Sequence, residues 1–382
     1  MRLRSADPEQ LTLGQKLWQL NWGLVLLLAL LAGIGAAMLY SAAGAQWDPW
    51  ASRQLIRFGI GLVLMLSVAV TDIRFWMRYA YAFYLLALTL LIAVEAMGVV
   101  GMGAQRWINL GVIQLQPSEV MKIALVLALA RYFHGATLEE IARPSFLLMP
   151  VLLIAAPVGL VVRQPDLGTA IMLALTAGVI LFMAGVRAWK FAVVTGVVLA
   201  ALPLAWSQLH GYQKRRIMTF LDPESDPLGA GYHIMQSKIA LGSGGVFGKG
   251  FLGGTQGHLN FLPEKQTDFI FTMLAEEFGM AGGLTLLGIY ILVIIYGFAI
   301  ALRTRNQFGR LVAIGITGTF FFYVFINIAM VMGLIPVVGV PLPLISYGGT
   351  VMLTTMLGFG LLISAFIHRD VPIGRQGPDD DL

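Results

Sequence analysis

The residue best suited to acid–base chemistry lies just before a long apolar segment. Asp268 ends the sequence LPEKQTD, residues 262–268, and is followed by Phe269. Aspartate is a preferred N-cap of helices, and a carboxylate can also act as a general base. The two roles conflict in part, because a helix N-terminus stabilises the ionised form and a base needs opposing desolvation. From its surroundings alone, Asp268 fits a cap and a base equally well.

A second group of polar residues opens another apolar segment. Pro117, Ser118 and Glu119 have the pattern of a helix start, with proline in the first turn and an acid near the positive end of the helix dipole. Lys122 follows at a spacing that places Ser118, Glu119 and Lys122 on one helical face. Capping or packing explains Glu119 as well as a site does. Lys122 needs a partner in the membrane, and Glu119, the interface and an anionic head group are the alternatives.

Arg106 and Trp107 come shortly before this helix start. A guanidinium can grip a diphosphate through two parallel hydrogen bonds, which makes Arg106 a candidate for anion binding. Trp107 taken alone is explained by anchoring at the lipid interface.

Composition places these residues in a membrane protein. Hydrophobic residues make up 58% of the chain and charged residues 12%, which leaves too little polar surface for a water-soluble globule. The chain has no cysteine, which excludes disulfides, a thiolate nucleophile and cysteine metal sites. The net charge of +5 mainly reflects membrane orientation and does not indicate nucleic acid as a partner.

We predict an all-α polytopic membrane protein that forms a single transmembrane domain over residues 1–382 and crosses the membrane about ten times. About 20 apolar residues span the hydrocarbon as a helix, and such runs recur along the chain. The predicted spans are residues 22–44, 54–71, 78–98, 117–133, 146–162, 168–185, 189–206, 269–302, 309–332 and 343–367.

The distribution of lysine and arginine favours both termini in the cytoplasm. A long extracytoplasmic loop, residues 207–267, then lies between helices 7 and 8. We expect this loop to be ordered, because aromatic residues occur throughout it, and to contain a short helix at 233–241 that ends at the glycines of 242–245. Residues 374–382 are expected to be a disordered tail.

Two further segments depart from a simple spanning helix. A helix over 269–302 would be about 50 Å long and exceed the hydrocarbon core, so its first turns, with Glu276 and Glu277, should project outward or line a cavity. Residues 341–349 break the helical pattern and form either a re-entrant turn beside a cavity or a tight loop. The glycine-rich stretch 244–254 lacks the Lys-Ser/Thr ending of a nucleotide-binding loop.

Several of these motifs occur together in one known family. The chain resembles the SEDS family (shape, elongation, division and sporulation), whose members polymerise bacterial peptidoglycan, over nearly its whole length. Within that family, residues 336–343 are most similar to the rod-shape-determining elongation branch. The matching stretches are RWI at 106–108, QPSE at 116–119, QPDLGT at 164–169, QS at 236–237 leading into GSGG at 242–245, PE at 263–264 leading into TDF at 267–269, and SYGG at 346–349.

The resemblance implies a glycosyltransferase of the bacterial cytoplasmic (inner) membrane that joins lipid II units on the periplasmic or outer side. It implies that Asp268 is the general base for the acceptor GlcNAc 4-hydroxyl. The substrate-binding positions that it implies are Arg106, Trp107, Gln116, Ser118, Glu119 and Lys122. Many members have histidine where this chain has Gln266, which argues against a proton relay at that position.

The resemblance also implies partners. These are lipid II, the growing glycan strand, a class B penicillin-binding protein transpeptidase and other membrane proteins of the elongation complex. We expect no resident cofactor and no protein metal site, and a divalent cation at the diphosphate stays open. The alternative functions are a lipid II flippase and a non-catalytic cell-wall scaffold.

Overall fold

The computed structural model describes residues 12–101, 104–109, 114–208, 211–222, 230–255 and 264–374, and nearly all of its regular structure is helical. The helices are α1 Leu13–Trp18, α2 Trp22–Ala42, α3 Ala51–Val70, α4 Ile73–Met97, α5 Pro117–Phe133, α6 Leu138–Ala142, α7 Pro144–Arg163, α8 Leu167–Ala184, α9 Ala188–Gln208, α10 Gly211–Leu221, α11 Ala230–Ser243, α12 Ile270–Arg303, α13 Gln307–Val331 and α14 Gly349–Ile367.

Asparagine and aspartate set the starts of several long helices. The side chain of Asp72 accepts a hydrogen bond from the Arg74 amide at the start of α4. Asp166 caps α8 through the Thr169 amide, and Asn306 caps α13 in the same way. These caps satisfy amides that have no partner inside the helix. The sequence analysis placed the start of the third span at residue 78, which is five residues too far along the chain, because Asp72 caps α4 and the helix begins at Ile73.

Eight helices in the described part of the chain are long and apolar enough to cross a membrane, namely α2, α3, α4, α7, α8, α12, α13 and α14. The two other predicted spans correspond to α5, which has 17 residues, and α9, which is apolar over Ala188–Ala201. The all-α polytopic architecture is therefore confirmed. The count of ten crossings and the cytoplasmic termini stay predictions.

Burial separates the helices into an inner and an outer set. α5 packs against α4, α7, α8, α13 and α14, and α5, α13 and α14 are mostly buried. On α3, Ile56, Ile60 and Val63 are exposed along one side, a surface that suits lipid and not water. The polar residues predicted for the site lie mainly on the inner helices.

The connection between α4 and α5 contains a small antiparallel sheet that the sequence analysis did not predict. Its strands are β1 Val99–Gly101, β2 Ala104–Asn109 and β3 Gln114–Leu115, in the order β1-β2-β3. Trp107 pairs with Val99, and Ile108 pairs with Leu115.

The 34-residue α12 is interrupted near its start. Gly279 has φ 67° and ψ −164°, so the helix is kinked between residues 270–278 and the remainder. The first part is buried, including Glu276 and Glu277. Neither glutamate therefore faces lipid, whereas outward projection and cavity lining of the first turns stay predictions. The kink is an addition that the apolar pattern did not reveal.

The predicted loop 207–267 and tail 374–382 lie partly outside the described residues. Within the described part of the loop, α11 covers the predicted helix at 233–241 and ends at Ser243, where glycines follow. Gly245 has φ +55°, in agreement with the predicted helix end.

Candidate functional site

The centre of the site is a buried cluster on α5 and α13. Lys122 Nζ lies 2.7 Å from Glu119 Oε1, and both side chains are almost fully buried. The hydroxyl of Tyr323 accepts a hydrogen bond from Lys122 and donates one to Glu119 Oε2. Of the alternatives for Lys122, the structure therefore has the pair with Glu119, and the lysine does not extend to the interface.

Helix α5 positions this cluster through its first turn. Gln116 is the N-cap, and Pro117 follows in the first turn, as the sequence predicts. Gln116 makes no side-chain cap, and the Glu119 carboxylate is bonded to Lys122 and Tyr323. Ser118 is buried in the same turn. The predicted shared face of Glu119 and Lys122 is confirmed, and the two side chains pair there inside the bundle.

A small cavity adjoins the cluster between α5, α13 and α14. Its volume is about 30 Å³, which is enough for one or two water molecules. Its polar lining consists of Glu119, Lys122, Thr319, Tyr323, Thr354 and Thr355.

Asp166 is a second centre of hydrogen bonding, at the start of α8. Its carboxylate accepts bonds from the amide and hydroxyl of Thr169 and contacts Gln116 Nε2 at 3.5 Å. It also interacts electrostatically with Tyr323. Gln116 is thus placed between the α8 start and the α5 start. The sequence analysis quoted Asp166 in a motif but did not propose it as a site residue.

Arg106 reaches the same turn from strand β2. Its Nη2 donates to the Pro165 carbonyl at 2.6 Å and its Nε to the Gln164 carbonyl at 3.4 Å, while Nε lies 3.7 Å from Asp166 Oδ2. Neighbouring residues on a strand point to opposite faces, so Trp107 does not share this face. Trp107 is half-buried in β2. Its predicted substrate contact stays a prediction.

Asp268 lies in the turn before α12. The helix N-cap is Phe269, one residue later. The Asp268 carbonyl accepts a hydrogen bond from Asn327 Nδ2 at 3.0 Å, and the same nitrogen donates to the Val340 carbonyl at 2.7 Å. Asn327 is fully buried on α13.

Asn327 connects Asp268 to the buried cluster. It follows Tyr323 by four residues on α13, so the two side chains lie on one face, about 6 Å apart along the helix axis. The Asp268 turn therefore contacts α13 about one helical turn beyond the tyrosine that bonds to Glu119 and Lys122. The sequence analysis missed Tyr323 and Asn327, although Thr319, Tyr323 and Asn327 form a four-residue polar repeat in an apolar helix.

The non-helical segment before α14 holds the Asp268 turn from the other side. The Tyr347 amide donates to the Gln266 carbonyl at 2.8 Å, and Ser346 Oγ donates to the Thr267 carbonyl at 2.6 Å. Gly339 is close enough that a Cβ there would lie 3.7 Å from Asp268 Oδ2. This segment therefore lies directly against the turn that contains Asp268, and both alternatives for residues 341–349, a re-entrant turn beside a cavity and a tight loop, stay predictions.

Comparison with known proteins places this arrangement in one family. Residues 20–370 match the cell cycle protein family FtsW/RodA/SpoVE. The chain is 47% identical over 350 residues to peptidoglycan glycosyltransferase MrdB of Escherichia coli strain K12, covering 91% of this chain and 93% of the relative.

Solved structures agree with the sequence comparison. A chain in a peptidoglycan synthase complex that coordinates polymerization and crosslinking matches with a TM-score of 0.79 and 34% identity, over 92% of this chain and 98% of that one. The rod shape determining protein RodA of Thermus thermophilus matches with a TM-score of 0.69 and 32% identity, over 92% and 97%. The predicted likeness to the elongation branch is confirmed. The chain belongs to the FtsW/RodA/SpoVE family, also called SEDS.

Proposed function

We propose that this chain is a peptidoglycan glycosyltransferase that polymerises lipid II at the outer face of the bacterial cytoplasmic membrane during cell elongation. Its 47% identical relative carries the name of that activity, and the likeness covers nine-tenths of both chains. The relatives' names bear out the predicted enzyme class. The structural support is the Asp268 turn beside a buried cluster that contains a lysine.

The proposed reaction forms one bond and breaks another. The 4-hydroxyl oxygen of the acceptor GlcNAc attacks the anomeric carbon of the MurNAc at the end of the growing strand, and Asp268 takes the hydroxyl proton. The bond from that carbon to the diphosphate breaks, and undecaprenyl diphosphate leaves with both bonding electrons. Asp268 is partly exposed in its turn, which gives a substrate hydroxyl access to the carboxylate.

The leaving diphosphate gains negative charge, and cations nearby favour that change. Lys122 and Arg106 are the candidates on this side of the Asp268 turn. Lys122 is already paired with Glu119. We therefore propose that its positive charge is in place before substrate arrives and is balanced by the acid. Arg106 is held by two carbonyls, which fixes its guanidinium at the α8 start.

One observation supports this assignment more than the others. Asn327 bonds to the Asp268 carbonyl, and Tyr323, one turn earlier, bonds to both Glu119 and Lys122. A single buried helix face thus connects the proposed base and the proposed cation. That proximity fits a reaction in which a proton is removed and a diphosphate departs at adjacent positions.

The experiment is polymerisation of lipid II by purified protein with its partner, using wild type and Asp268→Asn. The amide keeps the size of the side chain and cannot accept the proton, so strand synthesis should fall about 10²- to 10⁴-fold, the usual contribution of a general base. The matched control is Asp370→Asn, an exposed aspartate at the other end of α14, which should keep the wild-type rate.

Two results would contradict the proposal. A folded Asp268→Asn protein that makes strands at the normal rate would exclude Asp268 as the base. Wild-type protein that moves fluorescent lipid II across proteoliposomes but makes no strands with its partner would favour the flippase alternative.

The partner that we propose is a class B penicillin-binding protein, together with other membrane proteins of the elongation complex. The related chain in the peptidoglycan synthase complex supports this, because that complex couples polymerization with crosslinking. A divalent cation at the diphosphate stays a prediction, and strand synthesis with and without a chelator tests it.

A further inference from the structure

The kink in α12 is built around a second, glycine-rich segment of the chain. Residues 244–255, the clamp segment, run beside Gly279 and bond to the helix on both sides of it. The amides of Lys249 and Gly250 donate to the carbonyls of Glu276 and Glu277 at 3.0 and 2.9 Å. In return, the amides of Met280 and Ala281 donate to the carbonyls of Gly245 and Val246, both at 2.9 Å. The clamp segment thus takes over the backbone bonds that the kink removes from the helix.

Two glycines make this approach possible. A Cβ on Gly244 would lie 2.1 Å from the Ala275 carbonyl oxygen, and a Cβ on Gly248 would lie 2.1 Å from the Glu277 carbonyl oxygen. Gly248 also has φ +79°, which disfavours other residues. The glycine richness of this segment therefore allows contact between two backbones.

An ion pair between the partly exposed Lys249 and the buried Glu276 joins the clamp segment to the same helix. Glu276 is fully buried, and its Oε1 lies 2.7 Å from Lys249 Nζ. The same oxygen accepts hydrogen bonds from the amide and hydroxyl of Thr255 at 2.8 and 2.9 Å. A buried carboxylate is tolerated only with such partners. The clamp segment therefore gives the Glu276 carboxylate one cation and two hydrogen-bond donors.

The position of this pair bears on Asp268. Residues 270–278 form a short helix that starts two residues after Asp268, and Glu276 is near its other end. Because Gly279 interrupts α12, the remainder of α12 cannot fix the orientation of the short helix through continuous helical bonding. The short helix is held from its sides by the clamp segment, by the bond of Thr272 to Ser237 on α11 and by a bond from Ser41 on α2 to the Glu277 carboxylate.

We propose that the clamp segment fixes the Asp268 carboxylate in its working position, with Lys249 and Glu276 as positioning residues for the glycosyl transfer. This inference rests on the proposed function, since it assigns a purpose to the placement of the proposed base. Lys249 acts through Glu276 and the short helix and does not touch the reacting atoms. Loss of the pair should displace Asp268 and slow the reaction with little effect on substrate binding, because base catalysis depends on geometry.

The first measurement is steady-state lipid II polymerisation with the partner present. Lys249→Met removes the cation that contacts the Glu276 carboxylate and should lower kcat at least 10-fold, with KM within twofold of wild type. Lys249→Met combined with Glu276→Gln should recover most of kcat, because the amide oxygen can still accept from Thr255. Lys249→Arg keeps the charge and should stay within threefold. Arg305→Met, which breaks an exposed pair with Asp370, is the matched control and should not change kcat.

The second measurement does not depend on activity. The chain has no cysteine, so Asp268→Cys introduces a single thiol whose reaction rate with a thiosulfonate reagent reports its surroundings. Adding Lys249→Met should change that rate at least threefold, and adding Glu276→Gln as well should restore it. Lys249→Gln, which also removes the charge but stays polar, replaces Lys249→Met if the latter does not fold.

The outcomes separate the two proposals. Unchanged kcat and unchanged thiol reactivity in Lys249→Met would overturn the positioning role. If the unfolding temperature fell while both of these values stayed unchanged, the pair would have only a structural role, and the proposal would again be overturned. If wild-type protein made no strands, the proposed function would fail, while the thiol measurement would still decide whether the clamp segment positions residue 268.

Discussion

The Glu119–Lys122–Tyr323 cluster and the Asp268 turn lie close together but are held by different forces. In the cluster, charged and polar side chains on two regular helices bond to one another in a buried setting. In the turn, neighbouring groups bond to the backbone carbonyls of Gln266, Thr267 and Asp268. The cluster therefore depends on bonds between side chains, whereas the turn is held through its backbone.

That difference predicts that Asp268→Asn has the largest effect on activity relative to its effect on stability. Activity should fall about 10²- to 10⁴-fold, while the free energy of unfolding should change far less, because the bond from Asn327 to the backbone carbonyl of residue 268 is kept. Thermal unfolding in detergent alongside the polymerisation assay checks both values. A large loss of stability would show that the carboxylate is also structural.

Lys122→Met should damage both properties. The buried Glu119 would lose its counter-ion, which costs about 3–5 kcal/mol of stability. Activity should also fall, by about 10²-fold, the effect of losing one well-placed charge. Combining it with Glu119→Gln should recover stability and leave activity low. Recovery of both would mean that Lys122 serves the fold alone.

Asn327→Leu tests the link between the two regions. It keeps the side-chain volume and removes the donor shared by the carbonyls of Asp268 and Val340, which should cost about 1–3 kcal/mol of stability. A small shift of the Asp268 turn should lower kcat about 10-fold, with KM nearly constant. Thr89→Val, an exposed change on α4, is the control. A kcat equal to that of the control would contradict the link.

The smallest effect concerns pH and the end of α14, away from both regions. Burial lowers the pKa of His368 below 6.5, and the charges of Lys16 and Arg74 add to this, while a bond to Ser364 and the charge of Asp72 oppose it. The unfolded chain then binds the proton at a higher pH than the folded chain. Stability should therefore fall as the pH drops from 6.5 through the folded-state pKa.

His368→Asn should flatten that pH dependence, measured by thermal unfolding between pH 7 and 5. Titration of Asp72 does not affect this measurement, because its pKa lies below 3.8. Burial raises the pKa of Asp72, but the hydrogen bonds and charge of Arg74, together with the charge of His368, lower it by more. An unchanged slope in the variant would assign the pH dependence to other groups.

Residues close in sequence were the ones that local rules could place. The start of α5, the shared face of Glu119 and Lys122, and Asp268 just before α12 follow from helix spacing and from the cost of charge in hydrocarbon. The small sheet was missed because its strands are only two to six residues long and carry no clear alternation. The kink at Gly279 was missed because a run of apolar residues has the same composition in a straight helix as in a kinked one.

The sequence by itself determined that this protein lives in a membrane, which family motifs it carries and which residues are candidates for its chemistry, because composition and short-range spacing carry that information. The tertiary structure alone decided which residues meet. Tyr323 and Asn327 join Lys122 to the Asp268 turn from about 200 and 60 residues away along the chain, and Lys249 meets Glu276 across a glycine contact. Such pairings depend on how helices pack, since the shape of the whole bundle, and not local spacing, sets the distances between them.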